Sequence, residues 1–169
     1  MESLIHDLLL LAELGESKPV NFAEVDFDEL VKAHVNDFKV LNTSRTVTTV
    51  IPDDCFVQGS REHLSRLIQN CLSNILRHTP GDAPVSVSLR NSGKRAELRI
   101  EDGGPGLPDS AYGSEIKFMN RFDPSRSRES GGSGLGLSII AAIVQEHSGE
   151  LELSKSQLGG LAVTIKIPN

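Results

Sequence analysis

Two asparagines in the stretch between Arg66 and Pro80 combine a residue type and a spacing that could do chemistry. Asn70 and Asn74 are one helical turn apart, so their carboxamide oxygens project in the same direction and could hold a hard cation or a polar ligand. Asparagine is a poor helix former because its amide competes for backbone hydrogen bonds. Considered alone, this helix is explained equally well by a solvated stripe with incidental asparagines.

A cation and a flat ring follow on the same predicted helix. Arg77 and His78 come one turn after the asparagines and lie beside the same face. Ser60 is the predicted N-cap, and Pro80 ends the helix. The apolar residues recur at helical spacing and predict a buried stripe, which consists of Leu67, Cys71, Leu72, Ile75 and Leu76.

Asp102 stands at the end of a predicted strand and is followed by the glycine-rich run Gly103-Gly-Pro-Gly106. A carboxylate in this position would be a directional acceptor in a shallow cleft walled by bare backbone. An adenine amino group offers the donors that such a carboxylate accepts. The alternative is an aspartate that caps its own glycine loop, and the local sequence alone favours that alternative.

A second glycine cluster, Gly131-Gly-Ser-Gly-Leu-Gly136, precedes an apolar helix. It lacks the lysine and the final hydroxyl residue of a P-loop, and its glycines do not have the spacing of a dinucleotide fingerprint. Backbone N–H groups at a helix N-terminus still favour phosphate. Arg121, Arg126 and Arg128 lie just before the cluster and supply the positive charge that a polyphosphate needs. A solvated loop with scattered arginines explains this loop equally well.

The composition limits the class of protein to which these residues can belong. The chain has 169 residues and 38% hydrophobic content, which predicts one domain with one core. Its net charge of -6 argues against a general surface for nucleic acid or anionic membrane. Cys55 and Cys71 lie in apolar settings without metal-binding spacing, so we expect buried free thiols in a reducing compartment. The longest apolar run, Leu8 to Ala12, is too short to span a bilayer, and the start has no basic signal region, which predicts a soluble chain that is not secreted.

Helices and strands that must position these residues follow from the hydrophobic periodicity. Helices are predicted for Ser3–Leu14, from the cap Asp26 to Leu41, from Ser60 to Pro80 and for Gly134–His147. Strands are predicted for Thr46–Ile51, for Cys55–Gln58 as its returning partner, for the hairpin Val85–Leu89 and Ala96–Ile100, and for the closing hairpin Gly149–Leu153 and Leu161–Ile167. Residues 123–134 are polar and predict a mobile loop.

The first helix carries more apolar surface than a lone surface helix should. Its predicted stripes are Leu4, Leu8 and Leu11, with Ile5, Leu9 and Ala12 beside them. This pattern favours the trimmed end of a longer bundle or coiled-coil helix. The alternative is a terminal helix that docks on its own domain. Gly15-Glu-Ser-Lys-Pro19 breaks the helix and forms a linker.

Taken together, three motifs resemble those of one protein superfamily. Asn70-x-x-x-Asn74, Asp102-x-Gly-Pro-Gly106 and Gly132-x-Gly-Leu-Gly-Leu137 have the order and spacing of the N, G1 and G2 boxes of the GHKL ATPases, which include gyrases, certain chaperones, mismatch-repair proteins and histidine kinases. The segment 121–128 is similar to the lid of bacterial two-component sensor histidine kinases. The segment 4–14 is similar to the end of their second dimerisation helix, so the resemblance covers essentially the whole chain.

This resemblance implies an α+β fold and three parts of the chain. The fold is a two-layer α/β sandwich of the GHKL type, with a mixed, mainly antiparallel sheet covered on one face by about three helices. Residues 1–15 would be the remnant of the dimerisation and phosphoacceptor helix. Residues 16–19 would be a linker, and residues 20–169 would be the catalytic and ATP-binding domain.

The resemblance also implies roles for individual residues. Asn70 would bind Mg²⁺ through its side-chain oxygen, and Asn74 would support the phosphates and the metal. Arg77 stands where the family usually has a phosphate-contacting lysine, and His78 where an aromatic ring flanks the adenine. Asp102 would accept a hydrogen bond from the adenine N6 amino group.

The remaining implied roles lie in the glycine boxes and the lid. Gly104 and Gly106 would let the backbone pass beneath the base, and Arg121 and Arg126 would approach the phosphates when the lid closes. The residues that would wrap the phosphates are Gly132, Ser133, Gly134, Leu135 and Gly136. Asn70, Arg77, Arg121 and Arg126 form the implied catalytic set.

Two features depart from the family pattern. Ile116 and Met119 stand where the F box normally has phenylalanines, although Phe118 and Phe122 are close by, so a different packing of the lid is expected. Leu161 replaces the threonine that usually follows the last glycine box, which removes one polar contact.

The activity implied by the resemblance is transfer of the γ-phosphoryl group of Mg-ATP to a histidine on a dimerisation domain absent from this chain, for relay to a response-regulator aspartate. His6-Asp7 lacks the rest of the acceptor motif, so we expect no autophosphorylation. His34, His63 and His147 are expected at the surface or at helix ends. Two alternatives are a serine kinase of the anti-sigma-factor type and a non-catalytic ATP-sensing module.

The implied partners and location follow from the same family. The full-length protein would be a homodimer whose partners are its own dimerisation domain and a response regulator, and this chain would be a monomer or associate weakly through residues 1–15. It would be a cytoplasmic domain of a membrane-anchored sensor, without direct membrane contact and without a nucleic-acid partner.

Overall fold

The computed structural model describes residues 2–16, 21–109, 112–114 and 135–169. This part of the chain contains four helices and eight strands. The helices are α1 (Glu2–Gly15), α2 (Phe27–Leu41), α3 (Arg61–His78) and α4 (Gly136–Glu146). The strands are β1 (Ala23–Asp26), β2 (Val47–Val50), β3 (Phe56–Gly59), β4 (Val85–Asn91), β5 (Arg95–Asp102), β6 (Gly113–Ser114), β7 (Glu150–Lys155) and β8 (Leu161–Pro168).

Six of the strands form one mixed sheet in the order β2-β4-β5-β8-β7-β6. Only the pair β2–β4 is parallel, and the other pairs are antiparallel. Along β4 and β5 the buried side chains alternate with less buried ones, because one face of the sheet packs on the helices. The α+β fold with a mainly antiparallel sheet is therefore confirmed, and α2, α3 and α4 are the three helices expected beyond residue 20.

The N-caps predicted from the sequence for α2 and α3 are both present. The Asp26 carboxylate accepts a hydrogen bond from the Glu29 N–H at 3.2 Å, at the start of α2. The Ser60 hydroxyl accepts one from the His63 N–H at 3.3 Å, at the start of α3. Each cap satisfies a backbone donor that has no partner within its helix.

The predicted pairing of the strand after Pro52 was wrong. β3 does not return beside β2 but pairs antiparallel with β1, from Ala23 opposite Gly59, in a separate two-stranded sheet. The reason lies at Cys55, whose N–H donates to the buried Asp28 carboxylate at 2.8 Å and whose carbonyl accepts from the Phe27 N–H at 2.9 Å. These bonds fix the start of β3 beside β1, which leads into α2.

One predicted apolar stripe needs correction. On α3, Leu76 is 47% exposed, because the buried positions follow the face of Leu64 and Leu67 and end at Ile75. On α1, Leu4 and Leu8 of the predicted stripe are exposed, whereas Leu11 is half-buried and packs on the core together with Leu10 and Leu14.

Helix α1 docks on the rest of the chain through both apolar and charged contacts. Its leucines pack beside α4, and the buried Asp7 carboxylate lies 2.6 Å from the Arg66 guanidinium on α3. Helix α1 therefore docks on its own domain, while Ile5 and Leu9 on the same helix remain exposed. Among the described residues, no helix is both long enough and apolar enough to cross a membrane.

The prediction of buried free thiols is confirmed. Cys55 and Cys71 are free and buried. Burial raises the pKa of the Cys71 thiol to about 12, so the reactive thiolate is scarce at neutral pH.

His147 is at a helix end, as predicted, but it is a core residue rather than a surface one. Its Nδ1 lies 2.8 Å from the Ile143 carbonyl and its Nε2 lies 3.1 Å from the Ser60 N–H. A neutral ring with its proton on Nδ1 satisfies both bonds, since Nε2 then accepts. The ring also stacks on Phe22, with centroids 4.7 Å apart. His147 thus joins the end of α4 to the N-cap of α3.

We expect acidification to destabilise the fold partly through His147. Burial lowers the pKa of His147 below the ordinary value of 6.5, against the opposing effects of the Ile143 carbonyl and Glu146. The unfolded chain therefore binds more protons just below pH 6.5, so this contribution to stability is complete above that pH and is lost as pH falls through the lowered value. Urea unfolding from pH 7.5 to 5.5 measures the loss. A smaller pH dependence is expected for His147→Gln, whereas a replacement of the exposed His6 by Gln should match the wild type.

Candidate functional site

A cleft of about 220 Å³ opens between α3, α4, the ends of β5 and β8 and the loop after β5. Its apolar wall includes the half-buried residues Leu107, Leu137 and Leu161 together with buried Ile75 and Ile100. The predicted site residues that line this cleft are Asn74, Arg77, His78, Asp102, Gly106 and Gly136. Gly104 lines a shallower opening next to it, together with Arg77 and His78. Motifs that are far apart in the sequence therefore meet at one apolar cleft with a few polar groups.

The two carboxylate oxygens of Asp102 have different surroundings. Asp102 is the last residue of β5 and is 6% exposed. Its Oδ1 accepts hydrogen bonds from the Gly104 N–H at 2.9 Å and the Leu161 N–H at 3.2 Å. Its Oδ2 receives no hydrogen bond from the part of the chain that the structure describes. The first oxygen thus caps the glycine loop, and Asp102 lines the cleft.

The turn between β7 and β8 holds Asp102 from the opposite side. The Gly160 N–H donates to the Asp102 carbonyl at 3.1 Å. A Cβ on Gly160 would collide with Asp102 Oδ1 and would lie 2.7 Å from the Gly104 nitrogen, so only glycine fits there. This contact was not predicted from the sequence. The glycine pair at positions 159 and 160 was the available signal.

The two asparagines occupy different environments. Asn70 is 9% exposed, and its amide nitrogen donates to the Arg66 carbonyl one turn earlier at 2.9 Å, which leaves its side-chain oxygen as an acceptor. Asn70 is not among the residues that line the cleft in the described part of the chain. Asn74 does line it and faces α4, where a Cβ on Gly136 would lie 2.8 Å from the Asn74 side-chain oxygen.

Arg77 and His78 sit in the last turn of α3 at the mouth of the cleft. Burial lowers the pKa of His78 below 6.5, and the Arg77 charge adds to this, while Asp102 opposes it. The ring is therefore predominantly neutral at neutral pH. A neutral aromatic ring at this position can stack on a flat base.

Most of the predicted phosphate-wrapping segment lies outside the described residues. Arg121, Arg126, Gly132, Ser133 and Gly134 lie outside the described residues. So do Arg128 and the F-box positions Ile116, Phe118, Met119 and Phe122, and the loop predicted over 123–134. Leu135 is the N-cap of α4, and its side chain is 2% exposed and packs in the core. Of the six residues from 131 to 136, the structure therefore describes Leu135 and Gly136.

From the role that the sequence motifs imply for Asn74, Gly136→Ala is expected to weaken Mg-nucleotide binding several-fold with little loss of stability. The new methyl group would push against the Asn74 amide, which is the end of a side chain that can turn away into the cleft. Calorimetric titration with Mg-ATP, together with urea unfolding, measures both effects. Gly81→Ala is the matched control because a Cβ there meets nothing within 4 Å. Equal affinities for the two variants would contradict the importance of the Asn74 position.

Comparison with known proteins gives a consistent result. Residues 59–169 match the family described as histidine kinase-, DNA gyrase B-, and HSP90-like ATPase. The chain is 31% identical over 166 residues to the probable sensor histidine kinase TcrY of Mycobacterium tuberculosis, covering 98% of this chain and 35% of that protein. It is 36% identical over 118 residues to the signal transduction histidine-protein kinase BaeS of Escherichia coli, covering 70% and 25% respectively. The chain thus spans about a third or less of these two relatives.

Solved structures agree with the fold. The mycobacterial sensor histidine kinase MprB is similar with a TM-score of 0.73 and 27% identity, over 88% of this chain and 97% of that one. The ATP binding domain of PrrB from Mycobacterium tuberculosis is similar with a TM-score of 0.68 and 23% identity, over 89% and 98%. The second likeness supports the fold alone.

Proposed function

Because this chain belongs to the histidine kinase-, DNA gyrase B-, and HSP90-like ATPase family and is of the sensor histidine kinase type, we propose that it binds Mg-ATP in the cleft beside Asp102 and delivers the γ-phosphoryl group to a histidine. The histidine would lie on a dimerisation domain outside this chain. The observation that carries the proposal is the Asp102 carboxylate at the cleft, whose Oδ1 is held by two backbone N–H groups while no group of the described residues donates to Oδ2.

The adenine end of the proposed site is built around Asp102. Its Oδ2 accepts from the N6 amino group, and a hydrogen bond to a charged acceptor is stronger than one between neutral groups. The apolar wall, with Ile100 and Leu161, excludes water from the base. His78 covers the base at the mouth, and Gly104 and Gly106 keep side chains out of the space beneath it.

The phosphate end is formed by α3 and the start of α4. Arg77 supplies positive charge at the mouth, and Gly136 brings the α4 backbone against Asn74. Arg121, Arg126 and the residues Gly132, Ser133, Gly134 and Leu135 complete this end in the proposal.

The donor set suits a magnesium ion that is held jointly with phosphate. In the described ranges, no group of three or more His, Cys, Asp and Glu residues could hold a metal ion by itself. Mg²⁺ commonly uses one or two protein oxygens together with phosphate oxygens. The Asn70 amide nitrogen is bound to the Arg66 carbonyl, and no group of the described residues donates to the Asn70 side-chain oxygen. When bound, Mg²⁺ neutralises phosphate charge. Asn70 would be its ligand and Asn74 would support it.

The protein's own contribution to transfer is positioning and charge stabilisation. Arg77, Arg121 and Arg126 would stabilise the developing charge on the phosphoryl oxygens, and a closed lid would exclude water. No side chain of the chain acts as acceptor in this proposal. His6 is exposed, but its neighbour Asp7 is buried in the ion pair with Arg66, so the two do not form an acceptor pair.

The parts of the proposed full-length protein follow from this assignment. Residues 1–15 would be the distal end of a dimerisation helix, 16–19 the linker and 20–169 the catalytic domain. The exposed apolar face of α1, with Leu8 49% and Leu9 57% exposed, supports such a helix. The full-length protein would be a homodimeric, membrane-anchored sensor that passes the phosphoryl group to a response regulator.

The test is phosphotransfer in trans. The chain is incubated with radiolabelled Mg-ATP, alone and with a separately made dimerisation domain that carries the acceptor histidine. We expect label on the added domain and none on the chain itself. Stable label on this chain would contradict the proposal. Tight ATP binding without any transfer would favour a non-catalytic ATP-sensing module, and label on a protein serine would favour a serine kinase of the anti-sigma-factor type.

A further inference from the structure

Arg45 is a buried cation that the proposed activity does not use. It lies in the turn between α2 and β2 and is 8% exposed. Within the described ranges it forms no ion pair with a carboxylate, and its Nε is buried without a hydrogen-bond partner. Burying a charge without a carboxylate partner costs free energy, so the groups that do bind Arg45 indicate which part of the structure it stabilises.

The partners of Arg45 are oxygens of the segment 79–83, which follows α3. Its Nη1 donates to the Thr79 hydroxyl oxygen at 2.8 Å and to the Ala83 carbonyl at 3.2 Å. The Thr79 hydroxyl in turn donates to the Ile75 carbonyl at 2.6 Å, in the last turn of the helix. Because the C-terminus of a helix carries partial negative charge, this end of α3 stabilises the cation in place of a carboxylate.

The opposite side of the same segment faces the loop after β5. Thr79 lines the cleft, and a Cβ on Gly104 would lie 2.5 Å from the Thr79 methyl group. Pro84 makes the corresponding contact with Gly103, whose N–H donates to the Pro84 carbonyl at 3.0 Å. Residues 79–84 are therefore packed between Arg45 and the glycine loop.

The glycine loop is what orients Asp102. The Gly104 N–H donates to Asp102 Oδ1, and this bond fixes which oxygen is left for the base. A chain of contacts thus runs from Arg45 through the Thr79 hydroxyl and methyl group to Gly104 and then to Asp102.

We propose that Arg45 is a positioning residue for base recognition, which acts through Thr79 to set the wall of the cleft and the orientation of Asp102. This inference rests on the proposed function, because it concerns the same nucleotide site. Without Arg45, the Thr79 segment relaxes away from Gly104, and the Gly104 N–H no longer fixes Asp102 Oδ1. The loss falls on the choice of base more than on the phosphates, which are held at the other end of the cleft.

The test compares base preference with stability in the full chain. Affinities for Mg-ATP and Mg-GTP are measured by competition against a fluorescent ATP analogue, and stability by urea unfolding. The variants are Arg45→Met, Arg45→Lys, Thr79→Val and the double variant Arg45→Met with Thr79→Val. Thr79→Val keeps the shape that meets Gly104 but removes the hydroxyl that accepts from Arg45. Arg90→Met, an exposed arginine on β4, is the control.

We expect Arg45→Met to lower the ratio of ATP to GTP affinity at least tenfold and Arg45→Lys to restore part of it. Thr79→Val should lower the ratio similarly, and the double variant should be no worse than the larger single effect, because both remove the same contact. Arg90→Met should leave the ratio unchanged. Should Arg45→Met fail to fold, Arg45→Lys and Thr79→Val decide the question by the same ratio.

Two results would overturn the inference and are distinguishable. Variants that lose stability but keep the wild-type ratio would show that Arg45 is merely structural, with the proposed function intact. A wild-type chain that does not bind ATP would overturn the proposed function and this inference together.

Discussion

Asp102→Asn is expected to weaken Mg-ATP binding about 10- to 100-fold, because a hydrogen bond to a charged group contributes about 1.5–3 kcal/mol. The free energy of unfolding should change by less than about 1 kcal/mol, since an asparagine can keep one oxygen in place. That oxygen still accepts from the Gly104 and Leu161 N–H groups, which hold Oδ1 in the wild type.

The loss arises at the second oxygen position. With the asparagine oxygen turned toward Gly104, its NH₂ group takes the place of Oδ2 and faces the adenine amino group. Two donors then oppose each other in a cleft with an apolar wall, where an unpaired polar group is costly. The same substitution should weaken discrimination against GTP, because guanine has a carbonyl oxygen where adenine has its amino group.

Calorimetric titration and urea unfolding of the same preparation separate binding from stability. Glu101→Gln is the matched control, since it removes the same charge from the neighbouring residue, which contacts Arg99 and Ser156 instead of the cleft. Wild-type ATP affinity in Asp102→Asn, or a comparable loss in Glu101→Gln, would contradict the assigned role of Asp102.

Gly160→Ala should have the second large effect, a loss of ATP affinity of more than tenfold together with destabilisation of about 1–3 kcal/mol. The new Cβ would collide with Asp102 Oδ1 and approach the Asp102 carbonyl and the Gly104 nitrogen, two backbone atoms, at 2.7 Å each. Either Asp102 or the turn must move, and both movements change the position of the base acceptor.

Gly159→Ala separates that effect from a general weakening of the turn. Gly159 has φ +109, so alanine is strained there and should cost about 1 kcal/mol of stability, but a Cβ would meet nothing within 4 Å. We therefore expect Gly159→Ala to be less stable than the wild type and to bind ATP normally. If both variants lost affinity in proportion to stability, the direct contact between Gly160 and Asp102 would not be the cause.

The local features of this fold could be predicted because they depend on nearby residues. The Asp26 and Ser60 caps bind only N–H groups of the next turn. The alternation of apolar and polar residues in β4 and β5 indicates which side chains face the core. The pairing of β3 could not be predicted in this way. It depends on the bond between the Cys55 N–H, just before β3, and the Asp28 carboxylate on α2.

In the candidate site, too, some features could be predicted from the sequence and others depend on non-local contacts. The order and spacing of three motifs selected Asn74, Asp102 and Gly136 from the sequence, and the structure brings all three to one cleft. Their detailed roles depend on non-local contacts, such as the hydrogen bond from the Leu161 N–H to only one of the two Asp102 oxygens. Likewise, nothing adjacent in the sequence indicates that Arg45 is buried against the Thr79 hydroxyl, or that His147 accepts from the Ser60 N–H.

The claim that this cleft is the nucleotide site is tested most directly by a two-dimensional ¹H–¹⁵N NMR titration of the full chain with Mg-ATP. We expect saturable shifts of the Gly104, Gly106, Gly136 and Leu161 amides, which surround Asp102 and Asn74. The amides of Thr48 and Val50, on the edge strand β2, which does not line the cleft, should not shift. Absence of shifts at saturating Mg-ATP, or shifts that cluster away from the cleft, would contradict the account.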